Sequence, residues 1–192
     1  MTQFHHEQDK QNLKAKKFLI WLFIVASVMM FAALTSGFIV YTAGSAERGL
    51  KIILPQAFKY SSIVIILSSV TMHFAYLSAK RLQFNKQKLY LAATLLLGFI
   101  FAILQFSAMK TLTEQGAYFV NYNASQSFIY VFIVAHLLHI LAGMIMLLFA
   151  LTGVFKNIPQ VRNIFRLEVS STFWHFIDIL WIYLYVFLLL NQ

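Results

Sequence analysis

Four histidines and one aspartate stand in stretches that are otherwise almost wholly apolar: His73, His136, His139, His175 and Asp178. Neutral imidazole ligates haem iron and transition metals, and a histidine–carboxylate pair inside a membrane can mark a proton path. Spacing decides which of these chemistries is open. His136 and His139 are three apart on one helix face, and Gly143 continues that stripe a turn later, where a missing side chain lets another helix or a lipid chain approach. Within Trp174-His175-Phe176-Ile177-Asp178-Ile179-Leu180-Trp181, a helix puts Trp174, Asp178 and Trp181 on one stripe with His175 beside it. A di-metal bundle needs carboxylates from several helices at matching depth. Here Asp178 is the sole carboxylate well inside an apolar stretch, with Glu168 at the edge of the same one. Structural hydrogen bonding is therefore favoured over metal or haem ligation. His175 and Asp178 are expected to satisfy each other and a neighbouring subunit rather than to form a relay. Ser171 and Thr172 share a turn with His175, and one turn cannot assemble a nucleophile, base and orienting acid. No catalytic residue, cofactor ligand or metal ligand is expected on this chain.

The elements that carry these groups must be membrane helices. Hydrophobic residues make up 60% of 192, aromatics 17% and charged residues 11%, too apolar a balance for a soluble domain. A hydrocarbon core of about 30 Å takes roughly 20 apolar residues in helix. The gaps between charges give five such spans, at residues 18–41, 60–79, 90–109, 128–155 and 169–190. The first span is too long for a secretory signal and lacks a small-residue cleavage site, so it is read as a retained helix. The fold class is all-α: a polytopic bundle of five transmembrane helices, with a polar N-terminal segment at residues 1–17 and one membrane domain at residues 18–192. Cysteine is absent, which excludes disulfides and thiolate chemistry.

Lysine and arginine give the orientation. Eleven of the fifteen fall on one side: Lys10, Lys14, Lys16, Lys17, Lys80, Arg81, Lys86, Lys88, Lys156, Arg162 and Arg166. Arg48, Lys51, Lys59 and Lys110 fall on the other. The positive-inside rule places the N-terminus in the cytoplasm and the C-terminus in the periplasm. The net charge of +9 is scattered over loops, which suits anionic lipid and not a nucleic-acid backbone. Tyr118, Phe119 and Tyr122 lie at interface depth, as an aromatic belt would. Asn123-Ala124-Ser125 matches the glycosylation pattern, a triplet common by chance, and is read as unmodified.

The run Glu168-Val169-Ser170-Ser171-Thr172-Phe173-Trp174-His175-Phe176-Ile177-Asp178-Ile179-Leu180-Trp181 resembles the terminal helix of the cytochrome c oxidase subunit III family, the third subunit of the haem-copper oxidases. There a glutamate precedes a Trp-His-Phe-Val-Asp-Val-Val-Trp run. His136-Leu137-Leu138-His139, followed by Gly143, resembles the family's His-Gly-x-His segment. Leu104-Gln105 resembles its Leu-Gln signature, and Met72-His73 stands where short members carry a histidine. The resemblance covers all five spans in order and matches the five-helix bacterial form.

What the resemblance implies is an accessory, non-redox role in aerobic respiration, in the bacterial inner membrane. Haem and copper belong to partner subunits. The chain would pack on oxidase subunit I, beside subunit II and small subunits, and could sit in a supercomplex with a quinol:cytochrome c reductase. It would hold structural phospholipid and support proton uptake and durability of the catalytic subunit. Its lipid or subunit-interface residues would be His73, Gln105, His136, His139, Glu168, Trp174, His175, Asp178 and Trp181. The terminal motif is nearer the cytochrome c branch, with a quinol oxidase as the alternative. Less favoured are a membrane b-type cytochrome, pairing His73 with His136 or His175 on facing helices, and a small transporter, whose broken midplane helices these proline-free span interiors do not suggest. The sequence departs from the family at Ser27 and Ala108, where members often carry carboxylates, and at Leu137, where they carry glycine.

Overall fold

The computed structural model describes residues 2–45, 49–50, 52–120, 122–155 and 159–191, with side chains from Leu13 onward. Arg48, Lys51 and Lys156, counted above in the charge asymmetry, lie outside the described residues. Five helices follow in chain order: α1 Thr2–Ala43, α2 Ala57–Lys80, α3 Phe84–Glu114, α4 Ala124–Phe155 and α5 Gln160–Leu190. Each contains one of the expected spans, and all five are long and apolar enough to cross a membrane. The helices outrun the charge gaps, α1 by sixteen residues at its N-terminal end and α5 by nine. Charge marks where hydrocarbon stops, whereas Lys, Gln and Arg are good helix formers and carry the coil onward.

The buried positions reveal why the helices pack as they do. On α3 they are Gln87, Leu91, Thr94, Gly98, Phe101, Gln105, Ala108 and Leu112. On α5 the same alternation of four and three runs Asn163, Leu167, Ser170, Trp174, Ile177, Trp181, Leu184, Leu188. On α2 it runs Phe58, Ser61, Ile65, Ser68, Met72, Ala75, Ala79. A spacing of 3.5 keeps one seam facing its partner in left-handed packing. Lipid tails are as apolar as leucine, so these seams gain from close approach and hydrogen bonds, and small or polar residues fill them.

Contacts fix the direction of each helix. Ser62 and Ser68 of α2 meet Trp181 and Trp174 of α5 respectively, so these two run antiparallel. Gln87 of α3 meets Asn163 of α5, and Lys17 of α1 meets Glu168 of α5. The basic segments around Lys17, Lys80–Lys88 and Arg162–Arg166 therefore gather at one end of the bundle, with Lys59 and Lys110 at the other. α2 and α3 form the most extensive pair, while α1 docks on α4 and α5 alone among the stronger pairs.

Two turns close the hairpins by the same device. After α3, Ala117 N–H donates to Leu112 C=O at 3.0 Å and Gly116 N–H to Thr113 C=O at 3.1 Å, with Gly116 at φ +82°, a Schellman C-cap. After α2, Gln83 N–H donates to Ser78 C=O at 2.9 Å and Leu82 N–H to Ala79 C=O at 3.2 Å. There the left-handed residue is Leu82, φ +58°, where its Cβ crowds the backbone.

Candidate functional site

The site is best built outward from Trp174. Its indole is fully buried, and its Nε1–H donates to Ser68 Oγ on α2 at 3.0 Å. The ring lies against two glycines. A Cβ on Gly98 of α3 would meet its Cη2 at 2.9 Å, and one on Gly143 of α4 would meet its Cε3 at 3.0 Å. One side chain of α5 thus touches three other helices, and only residues without side chains admit it from α3 and α4. The expected role of Gly143 was close approach, and the group that approaches is an indole.

Two turns on, Trp181 repeats the pattern. Its Nε1–H donates to Ser62 Oγ at 3.0 Å, and its ring packs on Phe101 and His136, with centroids 5.2 and 5.1 Å away. Ser62 and Ser68 match Trp181 and Trp174 in antiparallel register. Sequence reasoning missed these serines and Gly98. A signal was present in the serine pairs 61–62 and 68–69, seven apart, like the tryptophans.

His175 and Asp178 do not pair with each other as expected. His175 Nδ1 lies 2.6 Å from Ser69 Oγ, and its ring centroid is 6.4 Å from that of His73. The Asp178 side chain is buried with Ser69 as its polar neighbour. Neither of its carboxyl oxygens has a hydrogen-bond partner among the described residues. Three residues along a helix place the two groups at an angle, and α2 inserts a hydroxyl into that angle. The stripe of Trp174, Asp178 and Trp181 is thus a seam between two helices of this chain. Trp174 and Trp181 are 0% and 1% exposed, so lipid or a neighbouring subunit would be met by the half-buried His175 and the exposed His73.

The remaining predicted residues disperse. Gln105 donates through Nε2 to Ser61 Oγ at 3.1 Å while its Oε1 lacks a partner. His136 is fully buried against Phe101 and Trp181, with no hydrogen bond to either ring nitrogen. His139 turns away from it toward α1. Its Nδ1 lies 2.7 Å from Ala135 C=O and its Nε2 3.0 Å from Ser27 Oγ. A carbonyl only accepts, so in the neutral ring Nδ1 carries the proton and Nε2 accepts from Ser27. Ser27, noted for replacing a carboxylate, is thus the partner of His139. Glu168 is ion-paired to Lys17 at the basic end, where α2, α3 and α5 are tied by Gln87, Asn163 and Gln160.

A haem fits this arrangement poorly. His73 and His175 stand on helices in direct contact through Trp174, next to His175, and Ser68, five residues before His73, which leaves no slot for a macrocycle, and His136 is boxed by two aromatic rings. Among the described residues no three His, Cys, Asp or Glu side chains converge as a metal site would require. What the arrangement does is lock four helices together by hydrogen bonds and one large ring.

Comparison with known proteins bears on what such a bundle serves. The family model described as "Cytochrome c oxidase subunit III" matches residues 2–191. The chain is 28% identical to a cytochrome bo(3) ubiquinol oxidase subunit 3 of Buchnera aphidicola subsp. Acyrthosiphon pisum, covering 95% of this chain and 90% of that one. It is 27% identical to a cytochrome c oxidase subunit 3 of Bacillus subtilis, again over 95% and 90%. A cytochrome c oxidase subunit 3 of Bacillus sp. strain PS3 is 28% identical over 88% of this chain and 83% of its own.

Proposed function

Since this chain belongs to the cytochrome c oxidase subunit III family, we propose that it is the third subunit of a proton-pumping haem-copper oxidase in a bacterial cell membrane, packed on the catalytic subunit. The single observation that carries this is the family match over residues 2–191, which takes in every helix described above. The buried groups support an accessory role. Serines, glycines and tryptophans are used up in holding the helices together, leaving a rigid apolar body suited to lying beside another membrane protein. Relatives named for cytochrome c and for ubiquinol oxidases match at 27% and 28% identity. The same role serves either branch, and the electron donor is set elsewhere in the complex.

The basic end is proposed to face the cytoplasm, following the positive-inside rule. There Lys14, Lys16 and Arg166 are exposed around the Lys17–Glu168 pair, and anionic phospholipid head groups are the fitting counter-charge. Support of proton uptake is proposed to be indirect, through durability of the catalytic subunit, because Ser27 and Ala108 stand where family members often carry carboxylates. Purifying the tagged chain from its native membrane tests the assignment. Haem-containing subunits should co-purify in constant ratio. A chain recovered alone, or carrying its own haem, would overturn it.

A further inference from the structure

The five helices are not held equally. Drawing α2 from α5 would strand the N–H groups of two buried indoles, Trp174 and Trp181, in hydrocarbon. Drawing α3 from α5 would break the buried Gln87–Asn163 amide pair. Lipid tails replace apolar contacts at little cost, so in a membrane the polar groups left unpaired largely set the cost of parting two helices. α1 stands outside that lock. When its seam with α4 opens, Ser27 Oγ–H keeps Phe23 C=O at 2.8 Å, and the half-buried His139 loses one contact, at the acceptor Nε2.

That seam is also graded along its length. Away from the basic end, Phe38 is fully buried among Phe128, Phe132 and Phe187, with ring centroids 5.9, 6.3 and 5.4 Å away. Thr35 Oγ1 lies 3.0 Å from Tyr183 Oη, and Tyr41 Oη accepts the Ala124 N–H at 3.1 Å. Just past the helix, Gly49 C=O accepts from Asn123 Nδ2 at 3.1 Å. Toward the basic end the seam thins. No side chain from Leu13 to Phe23 is buried, and Phe18, Leu19, Trp21, Leu22 and Phe23 are 46–63% exposed. Phe23 still lies against the Phe173 and His139 rings, and Ile20 is half-buried on the core. Among the described residues of that stretch, one polar bond reaches another helix, the exposed Lys17–Glu168 ion pair.

We propose that α1 is a strap, hinged where Phe38 and Tyr41 pin it to α4 and α5 and latched at the basic end by Lys17 and Glu168. Its basic end swings away from α4 and α5 while the other four helices stay locked. The latch is a light one, because an exposed ion pair is weak and screened by salt. The helix is continuous from Thr2 to Ala43, so it moves as a rod. At about 1.5 Å per residue Lys17 lies roughly 36 Å from Tyr41, and a tilt of about 10° carries it roughly 6 Å. Lipid tails cover the faces that opening bares, Ile24 and Phe173 among them, as well as protein did. The device belongs to the chain itself and holds whichever oxidase the chain serves.

The chain has no cysteine, so nitroxide labels can be set in pairs on the full chain in phospholipid nanodiscs. Leu19→Cys with Leu148→Cys spans α1 and α4 toward the basic end, and Ile39→Cys with Val134→Cys spans them toward the hinge. All four side chains are exposed. Pulsed electron double resonance should give a broad or two-peaked distance for the first pair and a narrow one for the second. Glu168→Gln should raise the long-distance fraction of the first pair about two- to five-fold, the worth of an exposed ion pair, and leave the second unchanged. Narrow distances at both pairs would overturn the strap. Broad distances at both would overturn the hinge, since α1 would then leave as a whole. A first pair that Glu168→Gln does not move would overturn the latch.

Discussion

The Trp174 indole lies so close to Gly98 that a methyl group on the glycine would meet Cη2 at 2.9 Å and Cζ2 at 3.2 Å. The ring is rigid, and it also lies against Gly143 of α4 and is held from α2 by Ser68. Neither helix can take up a side chain without moving the seam.

Gly98→Ala should therefore destabilise the chain by about 1–3 kcal/mol, the range for overpacking a filled interior. In a Trp174→Phe background the added methyl loses the atoms it strikes, and its cost should shrink. A double-mutant cycle on detergent-denaturation midpoints measures this. Equal cost in both backgrounds would refute the indole contact as the cause.

Ser68→Ala and Ser62→Ala each strand one buried indole N–H. Membrane hydrogen bonds between helices are worth about 0.6 kcal/mol on average and up to about 1.7, so each variant should lose roughly that amount. The two effects should add, because seven residues, or about 10 Å, separate the bonds along α2. Tryptophan emission should shift as each N–H loses its acceptor.

Leu82 holds a left-handed backbone at the end of α2, and it is exposed. Leu82→Gly should relieve the roughly 1–2 kcal/mol that an L side chain costs there, less what glycine loses by ordering a freer chain. A net gain of about 0.5–1 kcal/mol in the unfolding midpoint is expected. The same exchange at Leu89, inside α3, should destabilise.

Two carboxylates of α5 should behave oppositely. Glu168 pairs with Lys17 in the open, and Glu168→Gln should cost under about 1 kcal/mol, as exposed ion pairs do. Asp178→Leu should leave the haem spectrum unchanged while lowering the ratio of this chain to the catalytic subunit after purification. Quantitative mass spectrometry of the purified complex reads that ratio. Full retention of the Asp178 variant would show that the buried carboxyl is not needed for assembly with the catalytic subunit.

The spans and the chemistry-bearing helix were legible because charge is rare in hydrocarbon and therefore informative where it occurs. The seams were not. An amphipathic stripe shows which face of a soluble helix is buried, but on α3 the lipid face of Leu96 and Phe99 is more apolar than the seam of Gln87, Thr94, Gly98 and Gln105. The usual contrast is inverted and weak. The partners of the polar groups were hidden for a related reason. Serine is too common in sequence to flag itself, so Ser62, Ser68 and Ser69 emerged only when antiparallel packing set them opposite Trp181, Trp174 and His175, and Ser27, marked in sequence only as a departure from the family, gained His139 as its partner in the same way. The expected His175–Asp178 pairing failed because α2 offered a nearer hydroxyl.

The attachment of α1 also sets an order of events during synthesis. Two of its cross-helix bonds run from Ser27 to His139 and from Thr35 to Tyr183, partners made 112 and 148 residues later. At about 5–20 residues per second the ribosome needs roughly 6–30 s to supply them. Meanwhile Ser27 Oγ–H can bond Phe23 C=O at 2.8 Å and Thr35 Oγ1–H can bond Phe31 C=O at 3.0 Å. α1 can thus wait in lipid as a finished helix, its hydroxyls turned on its own backbone, until α4 and α5 arrive to claim them.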